Sequence, residues 1–272
     1  MHAASRDALA KCREKLQGTL GAKSDGGATG AKLGGELFQV AEVLEGDRAL
    51  RVAVADSSAP ASTRQDLARS VFGWKIDDST LDVLLDAVGH TWSNPRDLRD
   101  SLVDLSRLSL LASAAAQGQL PAVEDELFRL GRIIAGNPEL EQALADRQAP
   151  TKAKRALLGE LVYGKVLAVT EALASQVIAR PENRPADDLD ALSQMAAELQ
   201  GTAVADVTSA NELSSEQVES LKARLGKIYG RSMTVHMNID PKIMGGLVIR
   251  VGDEVIDGSV SGRLSAMRRN IP

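Results

Sequence analysis

The chain has almost none of the residues on which covalent and metal chemistry is usually built. Of 272 residues, one is cysteine, Cys12, and three are histidine. A single cysteine excludes an intramolecular disulfide and fits a reducing compartment. His2, His90 and His236 stand far apart and in no ligand motif, whereas a metal centre legible in sequence needs clustered ligands. Aromatic residues make up 3% of the chain, too few for the aromatic and β-branched surfaces of a sheet sandwich. No apolar run reaches the length of about 18 residues that a bilayer-spanning helix needs, and Met1 to Leu20 alternates charged and apolar residues without a signal-peptide block. A net charge of −5 lacks the concentrated basic surface of a nucleic-acid binder.

What is present is the balance of an ordinary globular protein: 44% hydrophobic and 25% charged residues, with Ala and Leu abundant. That composition favours helix packed on helix. The length is enough for two domains with real cores. A cytoplasmic location is the default expectation.

Two stretches punctuate the chain. Gly21 to Gly35 (GAKSDGGATGAKLGG) reads as a flexible link after a first helix. Arg180 to Asp188, with Pro181 and Pro185, interrupts a long helical region. After Gly201 the hydrophobic period changes from 3.6 to 2, which places the main boundary there.

Before that boundary the sequence repeats itself at a shift of 90 positions. Glu36-Leu37-Phe38 falls on Glu126-Leu127-Phe128, Gly46 on Gly136, Ala55-Asp56 on Ala145-Asp146 and Ala59-Pro60 on Ala149-Pro150, giving 12 identities in the 41 positions from Glu36 to Ile76. Two Ala/Leu-rich helices would share leucines by composition, but not this punctuation. In each copy apolar residues recur at helical spacing, as Leu37, Val40, Ala41 and Leu44 do. Gly46 and Gly136 follow where a left-handed cap is expected, and Pro60 and Pro150 stand at helix starts. A long helix from Arg96 to Gln117, with Leu98, Leu102, Leu105 and Leu108 on its buried side, joins the copies. The expected fold is mainly α. It has an N-terminal helical bundle with internal duplication (copies at residues 1–100 and 101–200) and a small α+β domain at residues 201–272.

In that last domain Ala203, Ala205 and Val207 share one face of a strand. Ser214 with Gln217 forms a capping box ahead of a helix carrying Val218, Leu221, Leu225 and Ile228. Met233, Val235, Met237 and Ile239 alternate with polar residues, so the methionines read as core and His236 as solvated. Leu247 to Val251 and Glu254 to Ile256 read as a hairpin, and a helix from Ser259 closes the chain.

Catalytic patterns are missing. Gly30 and Lys32 suggest a phosphate loop but lack its GxxxxGK[ST] spacing. Cys12 has no neighbouring histidine in sequence and reads as a small residue in a terminal helix. Asp257 and Arg263 read as a turn with an N-cap rather than a catalytic pair. No catalytic residue, cofactor or metal ligand is assigned.

One stretch is specific. Ile239 to Leu264 reads IDPKIMGGLVIRVGDEVIDGSVSGRL. Its Asp240, Gly245-Gly246, Gly252-Asp253, Asp257-Gly258-Ser259 and Gly262-Arg263 pattern resembles the C-terminal signature of the ATP synthase delta subunit family, the counterpart of the mitochondrial oligomycin sensitivity-conferring protein. The resemblance runs back to about Leu105; the first hundred residues resemble the duplicated helical domain of long forms. Ser261 departs from the family, which usually has a basic residue there. The resemblance implies a non-catalytic stator subunit of an F-type enzyme, peripheral at the cytoplasmic face of the membrane. Its partners would be the N-terminal tails of alpha subunits and the C-terminus of a b-type stalk. The tail would dock between the family domain's first and fifth helices, here about Leu98 to Gln117 and Val166 to Ala179. Leu108, Leu111, Val169 and Leu173 are the candidate anchors there, although each is also a natural core residue. The repeat suggests that the first copy offers a second docking surface, either for another alpha tail or for a second, different stalk chain. A generic helical adaptor is the alternative reading.

Overall fold

The computed structural model describes residues 1–21, 25–146, 148–230, 232–252 and 254–269; for residue 26 and residues 265–269 it describes the backbone alone. The chain divides into two compact units, Met1–Leu192 and Ser193–Pro272. The sequence places the change near Gly201; the contacts divide earlier, inside the helix Pro185–Leu199.

The first unit is all helix: α1 (Ala3–Gly21), α2 (Gly26–Gly46), α3 (Arg48–Val54), α4 (Ala61–Phe72), α5 (Asp78–Gly89), α6 (Pro95–Ala116), α7 (Leu120–Ala135), α8 (Pro138–Ala145), α9 (Thr151–Val162), α10 (Ala168–Ala179) and the start of α11 (Pro185–Leu199). The leucine faces read from periodicity are the core. Leu37, Val40, Ala41 and Leu44 of α2 pack with Val83, Leu84, Leu98, Leu102 and Leu105, and Cys12 and Leu16 of α1 close the same cluster.

The glycine-rich stretch is not a linker. From Gly26 onward it is the first half of α2, and only residues 22–24 of it lie outside the described chain. Gly27, Gly30 and Gly34 recur at helical spacing and face α6. There Ser113 donates its hydroxyl to the Gly27 carbonyl, Ser109 to the Gly30 carbonyl at 2.9 Å and Ser106 to the Gly34 carbonyl at 2.6 Å. A Cβ on Gly34 would stand 2.7 Å from Leu110 Cγ and 2.9 Å from the Ser106 carbonyl oxygen. Glycine serves here to bring two helix backbones together, not to loosen the chain.

The repeat is structural down to single hydrogen bonds. In the first copy Glu36 Oε2 accepts from the Asp77 amide (3.0 Å) and the Thr80 hydroxyl (2.5 Å). In the second, Glu126 Oε2 accepts from the Leu167 amide (2.9 Å) and the Thr170 hydroxyl (2.5 Å). All three positions are related by the same shift of 90. Gly46 and Gly136 are not left-handed caps. Each precedes an extended residue, Asp47 or Asn137, whose side chain caps the next helix at Leu50 or Leu140. The α6 helix starts at Pro95 as α11 starts at Pro185, again 90 positions apart, so it ends the first copy and begins the second.

The second unit carries a four-stranded sheet in the order β2-β1-β3-β4, from β1 (Ala203–Ser209), β2 (Met233–Ile239), β3 (Leu247–Val251) and β4 (Glu254–Asp257). The β1–β2 pair is parallel and crossed by α12 (Ser215–Tyr229), whose capping box joins Ser214 and Gln217 as expected; the other pairs are antiparallel. Ala203, Ala205 and Val207 face Leu225 in the core. Ile228 and Ile239, expected in it, are exposed; Leu221 packs there as expected, joined by Tyr229. A short 3-10 turn, Pro241–Ile243, leads from β2 into β3, and α13 (Val260–Arg269) follows β4.

The α2–α6 contact yields a paired prediction. Gly34→Ala lacks room and is expected to lower stability by about 1–3 kcal/mol. Gly35, with nothing within 4 Å of a Cβ, is expected to gain up to about 1 kcal/mol on substitution by Ala. Urea denaturation of the two variants checks this. Equal effects would mean the contact tolerates a methyl group.

Candidate partner-docking surfaces

The family-like residues of the second unit form a knot of backbone bonds. Asp240 caps the 3-10 turn, its side chain accepting from the Lys242 amide at 3.0 Å. Met244, Gly245 and Gly246 then follow with φ of 62°, 135° and 78°. Gly246 lies against the Gly258 carbonyl, where no side chain fits. The Gly258 amide donates to the Leu247 carbonyl at 2.8 Å and the Val260 amide to the Gly245 carbonyl at 2.9 Å. Asp257 Oδ1 accepts from both the amide (2.9 Å) and the hydroxyl (2.6 Å) of Ser259. The hydroxyl first, then the amide, holds the Asp257 carboxyl below the usual carboxylate range. The Ser259 hydroxyl in turn accepts from the Gly262 amide at 2.9 Å, and the Ser261 hydroxyl lies 3.2 Å from it. A Cβ on Gly262 would collide with the Asp257 carboxylate.

These residues therefore fix a turn against a helix start. Asp257 does not pair with Arg263, which is exposed; the turn-and-cap reading is the observed one. Ser261 belongs to the same hydroxyl cluster, while Asp253 lies outside the described residues. Gly252 (φ 59°) turns β3 into β4 in open space. Around the knot the unit exposes large apolar side chains: Met244 beside the turn, Val255 and Ile256 on the edge strand β4, Val260 and Leu264 on α13. Such side chains, on a rigidly braced turn and an open sheet edge, are suited to a partner helix or strand.

In the helical unit α6 and α10 run antiparallel. The Gln176 amide group donates to the Ser106 hydroxyl at 2.8 Å, and Arg180 pairs with Asp100 at 2.5 Å. Of the four candidate anchors, Leu111 and Leu173 are fully buried, Val169 is 8% exposed and Leu108 is half-buried against the first copy's core. They form the floor of this seam rather than a free surface. The half-buried positions above them are small: Ala112 on α6, Ala172 and Ser175 on α10. The matching seam of the first copy, between α1 and α5, is built differently. There Lys15 pairs with Asp82, the equivalent of Ala172, at 2.6 Å.

Two further residues differ from expectation. His236 is 4% exposed rather than solvated, with Nδ1 3.6 Å from Asp206 Oδ1 on the paired strand. Alternation places it correctly on the face opposite Met233, Val235 and Met237, but that face is buried too at this position. Cys12 is fully buried, and burial, then the charge of Asp86, pushes its thiol up to about 12. The exposed pair Lys32–Asp77 at 2.8 Å lowers the Asp77 carboxyl to about 2, with the Ser79 amide assisting. No described helix is long and apolar enough to cross a membrane.

An all-helical unit with a repeated scaffold is followed by a small mixed sheet with a braced glycine turn. The sequence profile of the ATP synthase delta (OSCP) subunit matches residues 108–271. The chain is 55% identical to the ATP synthase subunit delta of Corynebacterium diphtheriae over 272 residues, covering all of both chains. It is 54% identical to that of Rhodococcus opacus over 274 residues, covering all of this chain and 99% of the relative. The chain thus belongs to the ATP synthase delta (OSCP) subunit family. The family profile leaves residues 1–107 unmatched, whereas these relatives share them. A chain of the Toxoplasma gondii mitochondrial ATP synthase hexamer matches 61% of this chain and 96% of its own length, at 16% identity and a TM-score of 0.37.

The glycines of the knot separate two kinds of strain. Gly246→Ala meets a carbonyl as well as a positive φ and is expected to unfold the second unit or lower its stability by several kcal/mol, beyond the roughly 1–2 kcal/mol of a left-handed backbone alone. Gly252→Ala meets only the backbone cost. Hydrogen exchange of β3 and β4 amides checks this; equal loss of protection would place the close packing elsewhere.

Asp257 supplies a pH signature. Its folded carboxyl titrates below its unfolded value, so its contribution to stability is present above the ordinary carboxylate range and is lost as pH falls through the folded value. Ser259→Ala is expected to move the Asp257 titration upward toward the ordinary value, read from carbonyl shifts by NMR. An unmoved titration would refute the assigned cause.

Proposed function

We propose that this protein is a non-catalytic stator subunit of an F-type ATP synthase, peripheral at the cytoplasmic face of the membrane. Its second unit grips the C-terminal segment of a b-type stalk, and its α6–α10 seam takes the amphipathic N-terminal tail of an alpha subunit. The chain holds the catalytic head against rotor torque and contributes no catalytic residue. The apolar side chains exposed around the braced turn, in a chain of this family, carry the reading. They give the second unit a rigid, sticky surface of the kind that accepts a helix. Family membership supports both partners, and the small residues above Leu111, Val169 and Leu173 support the seam.

The first copy shares the scaffold but not the seam chemistry. An apolar peptide helix docking on α1 and α5 would have to desolvate the Lys15–Asp82 pair, so the alpha tail belongs to the second copy's seam.

Titration calorimetry with an alpha-tail peptide and a b-type C-terminal segment tests this. Leu264→Asp is expected to weaken the stalk segment at least tenfold and leave the tail unchanged. Ala172→Glu is expected to do the reverse. Absence of binding by either segment at micromolar concentration, or loss of both in either variant, would sink the reading.

A further inference from the structure

The first copy's α1–α5 seam brings Cys12 together with Asp86 and His90, more than seventy positions away in sequence. Cys12 lies on the buried face of α1. Asp86 and His90 stand four residues apart at the end of α5, so they share one helical face. Cys12 Sγ, a carboxylate oxygen of Asp86 and a ring nitrogen of His90 all lie within 4.8 Å of one another. His90 Nε2 is 3.3 Å from Asp86 Oδ2. Two donors on one tetrahedral zinc ion, at bond lengths near 2.0–2.1 Å, are separated by about 3.4 Å, and a thiolate and an imidazole by about 3.5 Å. The carboxylate and the imidazole already stand at that separation; the thiol, within 4.8 Å of both, has at most about 1.3 Å to close against the roughly 3.5 Å of a thiolate–imidazole pair.

We propose that Cys12, Asp86 and His90 form a binding site for a divalent transition metal of the zinc type, which clips α1 to α5. A thiolate and an imidazole select such ions over magnesium or calcium. Binding forms the metal–sulfur bond and releases the thiol proton to solvent; with the neutral imidazole and the ionised Asp86, the loaded site carries no net charge. Asp86 and His90 side chains are 31% and 25% exposed, which leaves a path for the ion and room for water in the fourth position.

The position of His90 is itself fixed from the backbone side. Arg64 donates to the His90 carbonyl at 2.8 Å and to the Gly89 carbonyl at 3.2 Å, holding the end of α5. The second copy provides an internal comparison. At the positions of Asp86 and His90 it has Gln176 and Arg180, and its seam closes through the Ser106 hydroxyl and Asp100. The same scaffold thus carries a ligand set in one copy and an ordinary hydrogen-bonded closure in the other.

The test uses the full, untagged chain. Titration with Co²⁺ is expected to give one equivalent with a sulfur-to-metal charge-transfer band, displaced by Zn²⁺, and Zn²⁺ is expected to raise the melting temperature by several degrees. Cys12→Ser removes the band. His90→Gln, at a partly exposed position where folding is not at stake, weakens binding at least tenfold and abolishes the thermal shift; Asp206→Asn, in the other unit, leaves all of it unchanged. Absence of a thiolate band in the unsubstituted chain, or binding untouched by His90→Gln, would overturn the proposal.

Discussion

Along one side of α2 the carbonyls of Gly27, Gly30 and Gly34 accept hydroxyl hydrogens from Ser113, Ser109 and Ser106 of α6. The helical unit depends on this contact because α6 serves both copies and must be covered on nearly every side. Each glycine in a helix interior costs roughly 0.5–1 kcal/mol against alanine. Each hydroxyl–carbonyl bond contributes about 0.5–1.5 kcal/mol net, so the two roughly offset. The gain is geometric. The fourth buried serine of α6, Ser101, has no such partner among the described residues. With no Cβ between the backbones, the hydroxyls of Ser106, Ser109 and Ser113, which would otherwise demand water, are satisfied inside the protein. The buried Arg99 follows the same rule, meeting Glu45 and Asp100.

That contact also explains the largest misreading of the sequence. Gly21 to Gly35 has the composition of a flexible link, and composition outweighed spacing. The spacing Gly27, Gly30, Gly34 is that of one helical face, continuous with Leu37, Ala41 and Leu44, and the partner serines 106, 109 and 113 repeat with the same step on α6. Leucine periodicity, the prolines at helix starts, the capping box at Ser214 and the strand alternation of Ala203, Ala205 and Val207 were legible because each depends on residues a few positions apart, whereas the caps by Asp47 and Asn137 were read as left-handed glycines. The family-like glycines were legible for another reason: Gly246 and Gly262 are required by close packing, which few other residues satisfy. What could not be read were pairings across many residues, such as Cys12 with Asp86 and His90. His236 was misjudged because alternation gives a strand's two faces but not which of them is covered.

Duplication gives the molecule two versions of one scaffold, and the versions differ where they meet the outside. Glu36 and Glu126 tie the start of the fifth helix of each copy to its second helix through the same two bonds. This bracing is indifferent to what the seam side chains do. Above it, Ala172 and Ser175 stand where the first copy has Asp82 and Leu85, and Gln176 stands where it has Asp86.

The difference is large enough energetically to separate the copies' work. Stripping water from an ion pair such as Lys15–Asp82 costs several kcal/mol per ion unless new partners replace it. Covering alanine and serine costs little and returns about 25 cal/mol for each Å² of apolar surface buried. A peptide helix presenting apolar anchors meets a penalty on one seam and none on the other, although the backbones beneath are alike. On the proposed stator reading, the bracing glutamates let the chain keep one seam closed, by charge and by the proposed metal clip, while the other takes a partner. If the chain is the load-bearing part proposed above, it needs both stiffness in the first copy and adhesion in the second, and a single bundle would have to compromise between them.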